Sequence, residues 1–245
     1  MTTLSKSFQS PHPLTVALLA SACATLASYA APEAHAGEAV GFVFMTATYL
    51  ACLRPSHVLR PEHYGLGLGG LWLPEPLSLK RMFRESLRAL AVASLLGLLI
   101  LPLFWLGFVE WYQPRSPFSV ERAVHAVDTS PALVLINLSL AHLLVVALPE
   151  ETFFRGYLQT ALNDRYPQHQ SWCGLRFSVG LFVSSAVFAL GHFTTSPVLS
   201  RLAVFFPSLL FGLLREKTKG VGAALVLHAQ CNVFAALLGR GYGLY

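Results

Sequence analysis

Charge is what this chain has least of. Its 245 residues carry 17 Lys and Arg and 12 Asp and Glu, 12% in all, about half the roughly 25% of an average soluble chain. With 54% hydrophobic residues and a mean hydropathy of +0.56, the composition excludes a soluble domain and indicates an integral membrane protein. Other absences narrow the function. The four cysteines, Cys23, Cys52, Cys173 and Cys231, form no C-x-x-C pair and have no metal-type spacing, so neither a zinc ribbon nor a disulfide framework is expected. There is no G-x-x-x-x-G-K-[ST] phosphate loop and no H-E-x-x-H zinc motif. No internal repeat or inverted half is detectable, which argues against a transporter built from inverted repeats. The net charge of +5 is spread over short connections, so no nucleic-acid partner is expected.

What the chain does have is apolar runs. Seven approach the roughly 20 residues needed to cross a hydrocarbon core about 30 Å thick: about 14–30, 39–53, 89–109, 131–149, 178–194, 199–214 and 221–238. The expected fold is all-α, a polytopic bundle of about seven (six to eight) membrane helices, in contact with lipid. The first run also fits a leader, with Lys6 before it and Ala34-His35-Ala36 resembling a processing site. Seven crossings from a cytoplasmic N-terminus would place thirteen Lys and Arg inside and four outside (Arg115, Arg122, Arg201 and Arg240), as the positive-inside rule requires. The connection 54–88 is glycine-rich in its first half. Its second half, Leu77 to Leu87, alternates basic and apolar residues as an amphipathic segment on the inner surface would.

Three polar clusters break the apolar pattern. Glu150, Glu151 and Arg155 follow the run Ala132 to Leu148, where each charge costs roughly 2.5–3.5 kcal/mol at a bilayer centre. On a helix reaching about Asn163, Glu151 and Arg155 lie one turn apart and can pair. Glu150 is rotated about 100° away, and a carboxylate free in an apolar pocket can serve as a general base. The bland alternative is a solvated helix end at the cytoplasmic interface. Phe188 and His192 share a helix face, where a lone histidine is commonly a packing residue. His228 and Asn232, again four apart, can present an imidazole and an amide to one point, as an oxyanion needs; interhelical hydrogen bonding is the bland alternative. Cys231 beside them reads as packing.

In order and spacing, Glu150-Glu151-x-x-x-Arg155, Phe188-x-x-x-His192 and His228-x-x-x-Asn232 resemble the three motifs of the CAAX-protease and bacteriocin-processing (CPBP) family of intramembrane endopeptidases. The resemblance covers about Ala132 to Leu238. It implies a single integral membrane domain over 1–245, with variable N-terminal helices and a cytoplasmic amphipathic loop in 1–130 and the catalytic core in 131–238. It further implies that Glu150 activates a water, His192 helps bind it, Glu151 and Arg155 orient the site, His228 and Asn232 stabilise the oxyanion, and Phe188 shapes the substrate pocket. The substrate would be a protein or peptide with a membrane-associated segment, cut in a bacterial inner membrane. Processing of a CAAX-like or bacteriocin-type substrate, or removal of a C-terminal sorting segment by a myxosortase-like member, would suit it. No cofactor is expected; were zinc used, Glu150, His192 and His228 would be its ligands. The rivals are a carrier or channel with a Glu/His proton relay and a non-catalytic immunity or scaffold protein.

Overall fold

The computed structural model describes residues 11–53, 61–67, 78–125 and 129–244. Lys6, Arg54, Arg60 and most of the glycine-rich stretch fall outside these. The chain is an all-α helix bundle. Among the described residues its longer helices are α1 (Pro13–Ala30), α2 (Ala36–Thr48, extended by a π-turn Tyr49–Leu53), α3 (Leu79–Tyr112), α4 (Pro131–Arg165), α5 (Val179–Thr195), α6 (Phe205–Thr218) and α7 (Gly222–Tyr242), with a short helix, Val120–Val124, between α3 and α4. Each of the seven apolar runs falls on one of them. Four (α1, α3, α4 and α7) are long and apolar enough to cross a membrane. The run near 199 begins later than expected, because Leu199–Val204 forms a 3₁₀ turn before α6.

The basic stretch from residue 79, expected to lie along the membrane surface, instead forms the first turns of α3. Ser78 caps that helix, its hydroxyl accepting from the Arg81 N–H, and no glycine or proline interrupts it before Gly97. Leu77 lies outside the described residues. A second surprise is a hairpin, β1 (His169–Trp172) against β2 (Leu175–Ser178). Cys173 and Gly174 both take positive φ, 50° and 71°, the backbone of a two-residue turn whose twist matches the strands. Strands of four residues are too short for their alternation to be read beforehand.

Contacts between connections sort the helix ends into two groups. At one end, His63 bonds Asp164 (2.7 Å), His12 bonds Tyr166 (3.2 Å) and Lys217 reaches the hairpin at Gly174. At the other, Tyr29 and Thr25 bond Thr194, and Ser119 and Arg122 bond Gly241. The seven helices therefore alternate in direction.

Among the described residues two large apolar clusters, and a small one of Ala147, Leu225 and Ala229, form the core. One joins α1, α2, α4 and α5 through Ala17, Phe44, Phe153, Phe154, Leu158 and Phe188. The other joins α3, α6 and α7 through Ala93, Phe211, Leu214, Ala224 and Leu227. The polar clusters meet between them.

Helix α4 spans 35 residues, about 52 Å at 1.5 Å per residue, so it outruns the hydrocarbon thickness and Glu150 sits near its middle. The bland alternative from sequence had put Glu150 at a cytoplasmic helix end, since the apolar run stops at Leu148. π-Helical turns, Ala141–Ala147 and Thr152–Leu158, flank the glutamates. Pro149 has no N–H for the Val145 carbonyl four residues back, and the Leu148 N–H turns to Leu143 O, five residues back. Widened turns of this kind recur at functional sites because they re-aim side chains. Gly41 of α2 packs on this stretch: a Cβ there would lie 2.7 Å from Val145 O. Gly41→Ala is thus expected to cost about 1–3 kcal/mol in thermal or denaturant unfolding in detergent. Gly107→Ala, with open space around it, is expected to be neutral or stabilising.

Candidate active site

The three clusters converge. Glu151 and Arg155 are fully buried, and Glu150 is 7% exposed, so the solvated helix end foreseen as the bland alternative does not occur. Arg155 Nε lies 3.2 Å from Glu151 Oε2, and Arg155 Nη2 donates to Ser208 Oγ (2.8 Å) and Ser208 O (3.3 Å) on α6. Its guanidinium carbon is 4.4 Å from the Phe188 ring centroid and 5.4 Å from that of Phe211, within cation–π range. Arginine's planar fork suits this sandwich; lysine could not pair, bond and stack at once.

His228 closes the cluster from α7. Its Nδ1 lies 2.9 Å from Glu151 Oε1. A carboxylate paired with Arg155 only accepts, so Nδ1 carries the proton and donates. Its Nε2 faces Glu150 Oε2 at 3.6 Å, close for charges but long for a hydrogen bond. Phe211 stacks on the imidazole at 4.9 Å. Sequence reasoning paired Glu151 with Arg155 alone; the structure gives it His228 as well, leaving Nε2 as the ring nitrogen not committed to that bond.

His192 is positioned differently. Its Nδ1–H donates to the Phe188 carbonyl one turn back (3.1 Å), which leaves Nε2 of the neutral ring as an acceptor. The Phe188 and His192 rings lie 4.4 Å apart, and together they form a wall between two cavities. The smaller, about 320 Å³, contains Glu150 and reaches the end of the bundle where Ser28, Tyr29, Ala36 and Thr195 lie. The larger, about 1090 Å³, contains His228 and Asn232 and is walled by α3, α5, α6 and α7. Glu150 lines only the first, and Asn232 only the second.

Glu150 Oε2 is buried and makes no hydrogen bond within the described residues, as is also true of Glu151 Oε2, Arg155 Nε and Arg155 Nη1. Glu151 Oε2 and Arg155 Nε, however, face each other at 3.2 Å, whereas Glu150 Oε2 has among these residues only His228 Nε2, at 3.6 Å. Buried carboxylate oxygens are rarely left so. Among the described residues no group of three His, Cys, Asp or Glu is arranged to hold a metal ion. Nδ1 of each histidine is already bonded, so Nε2 is the ring nitrogen that His192 and His228 have left to offer.

Two contributors escaped sequence reasoning. Ser208 left one usable signal, a lone hydroxyl in the apolar stretch Phe205 to Leu214. Phe211 left none, since an aromatic in an apolar helix is unremarkable. Replacing Arg155 with Met should cost roughly 3–5 kcal/mol by stranding Glu151. Adding Glu151→Gln should recover part of that stability in detergent unfolding; no recovery would mean that the two charges do not compensate each other.

Residues 132–234 match the family described as type II CAAX prenyl endopeptidase Rce1-like. No curated protein and no solved structure gave a match. The matched stretch runs from α4 into α7 and contains every member of the three converging clusters. Residues 132–234 of this membrane protein thus form an Rce1-like type II CAAX prenyl endopeptidase domain of the CPBP family.

Proposed function

We propose that the chain is an intramembrane endopeptidase of a bacterial inner membrane that hydrolyses a peptide bond with a water activated by Glu150. The supporting observation is the buried, unbonded Glu150 Oε2 at the wall of a cavity it shares with His192. A water there would give one hydrogen to Glu150 and the other to His192 Nε2, leaving a lone pair free to attack a carbonyl carbon. As the bond to carbon forms, the water proton passes to Glu150, which later returns it to the leaving amine. The Asn232 amide and, when protonated, His228 Nε2 lie on the other side of the wall and would donate to the oxyanion. Glu151, clamped by Arg155 and His228, takes no proton in this scheme; it holds His228 in place.

The cluster's charge supports such proton traffic. Two carboxylates face one permanent cation, and one proton on Glu150 or His228 brings the sum to zero. A buried group so balanced is less costly than one with net charge. Protein or peptide substrates with a membrane-associated segment fit a site enclosed by lipid-facing helices. The hairpin end of the bundle gathers Lys80, Arg81, Arg165, Arg176, Arg215 and Lys217, which supports reading it as the cytoplasmic end. The smaller cavity would then open on the opposite face, the side from which a sorting-type enzyme would meet exported proteins.

The tests use purified protein. Glu150→Ala is expected to abolish cleavage with expression and helicity retained, and full activity would end the mechanism. Asn232→Ala is expected to lower kcat by about 10²–10³; a change confined to KM would contradict its oxyanion role. Strong chelators are expected to leave activity intact, whereas stoichiometric zinc in active preparations would overturn the metal-free reading.

A further inference from the structure

The larger cavity holds a charge that the chemistry above does not use. Its floor carries His192, His228 and Asn232, and its walls are otherwise almost wholly aliphatic and aromatic. Two wall residues, Leu103 of α3 and Phe206 of α6, are also among the most exposed apolar side chains of the molecule. The cavity therefore reaches the outer surface between helices, where lipid would lie. At about 1090 Å³ it exceeds the roughly 300–1,000 Å³ of ordinary small-molecule sites and has room for several apolar side chains. Arg201 lines it as well, from the 3₁₀ turn between α5 and α6. This turn is at the bundle end opposite the hairpin, next to the Thr194 contacts with α1.

Arg201 is exposed, and its side chain makes no ion pair or hydrogen bond among the described residues. Of the described arginines in the connection between α3 and α4, Arg122 is tied to Gly241 O and Pro117 O. Arg115 makes no such bond among the described residues, and it does not line the cavity as Arg201 does. No Asp or Glu is among the described residues lining the larger cavity. An apolar cavity with one unanswered guanidinium at its end selects by complementarity an apolar occupant with one anionic group. Resting on the endopeptidase reading, we propose that Arg201 is a specificity-determining residue. It would pair with an acidic side chain at the end of the substrate's apolar segment, setting which carbonyl reaches the His192–Asn232 floor. The occupant is accordingly a membrane-embedded protein segment flanked by Asp or Glu on the face opposite the hairpin.

The test reads binding, without turnover. The full chain carrying Glu150→Gln is placed in bilayers of zwitterionic lipid. It is then photo-cross-linked to one leucine-rich peptide with Glu, Gln or Lys at a single flanking position, both termini being blocked. The Glu peptide is expected to cross-link about fivefold more than the Gln peptide, the upper range for an exposed ion pair, and the Lys peptide least. Adding Arg201→Glu is expected to reverse the order, and Arg201→Gln to flatten it. An unchanged order in both variants would overturn the proposal. So would an order that follows the charge of added anionic lipid and ignores residue 201, because the guanidinium would then serve headgroups. The two readings fail separately: charge-reversed binding without any cleavage by the Glu150 protein removes the peptidase, and cleavage indifferent to residue 201 removes the subsite.

Discussion

Two carboxylates and a guanidinium can stay inside an apolar helix bundle only if each charge is answered within a few ångströms. That requirement organises the molecule. Glu151 is held by Arg155 from its own helix and by His228 from α7. Arg155 is in turn bonded by Ser208 of α6 and packed between Phe188 of α5 and Phe211 of α6. Four helices are thereby tied to one buried ion pair, and the two apolar clusters close around it from either side. With both oxygens of Glu151 taken by ion pairs, its neighbour Glu150 is left with an oxygen that, among the described residues, faces only His228 Nε2, at 3.6 Å. Adjacent glutamates differ by about 100° in direction, and that difference divides them into one clamped carboxylate and one that lines a cavity.

The backbone contributes to the same division. Pro149 interrupts the hydrogen-bond ladder immediately before the pair, and π-helical turns absorb the interruption on both sides. Gly41 lets α2 approach at that point. The wall formed by Phe188 and His192 then separates a cavity lined by several hydroxyls, which holds Glu150, from an apolar cavity holding the Asn232 amide. Water and substrate need not enter by the same route.

Much of this was legible in the sequence. The seven apolar runs marked the seven helices, because hydrocarbon tolerates little else. The ordered spacing of Glu150/Glu151/Arg155, Phe188/His192 and His228/Asn232 marked the residues that converge, since charged groups are rare in such runs. What could not be read was partnership across helices. The second partner of Glu151, the hydroxyl of Ser208 and the stacking of Phe211 depend on which faces meet, and periodicity does not encode that. The end of the apolar run at Leu148 also misled, because a buried ion pair lets a helix continue through the bundle with charged residues inside it. Arg201, merely one of four outward charges in the sequence, gained meaning only from the cavity it lines.

The central claim is that Glu150 carries a proteolytic reaction on membrane-associated substrates. The most direct measurement compares the membrane and surface proteomes of cells carrying Glu150→Gln with those of wild-type cells. Uncleaved precursors with an apolar segment should accumulate in the variant alone, and their mature forms should disappear. Identical proteomes, with the variant protein present at normal abundance in the membrane, would contradict the account.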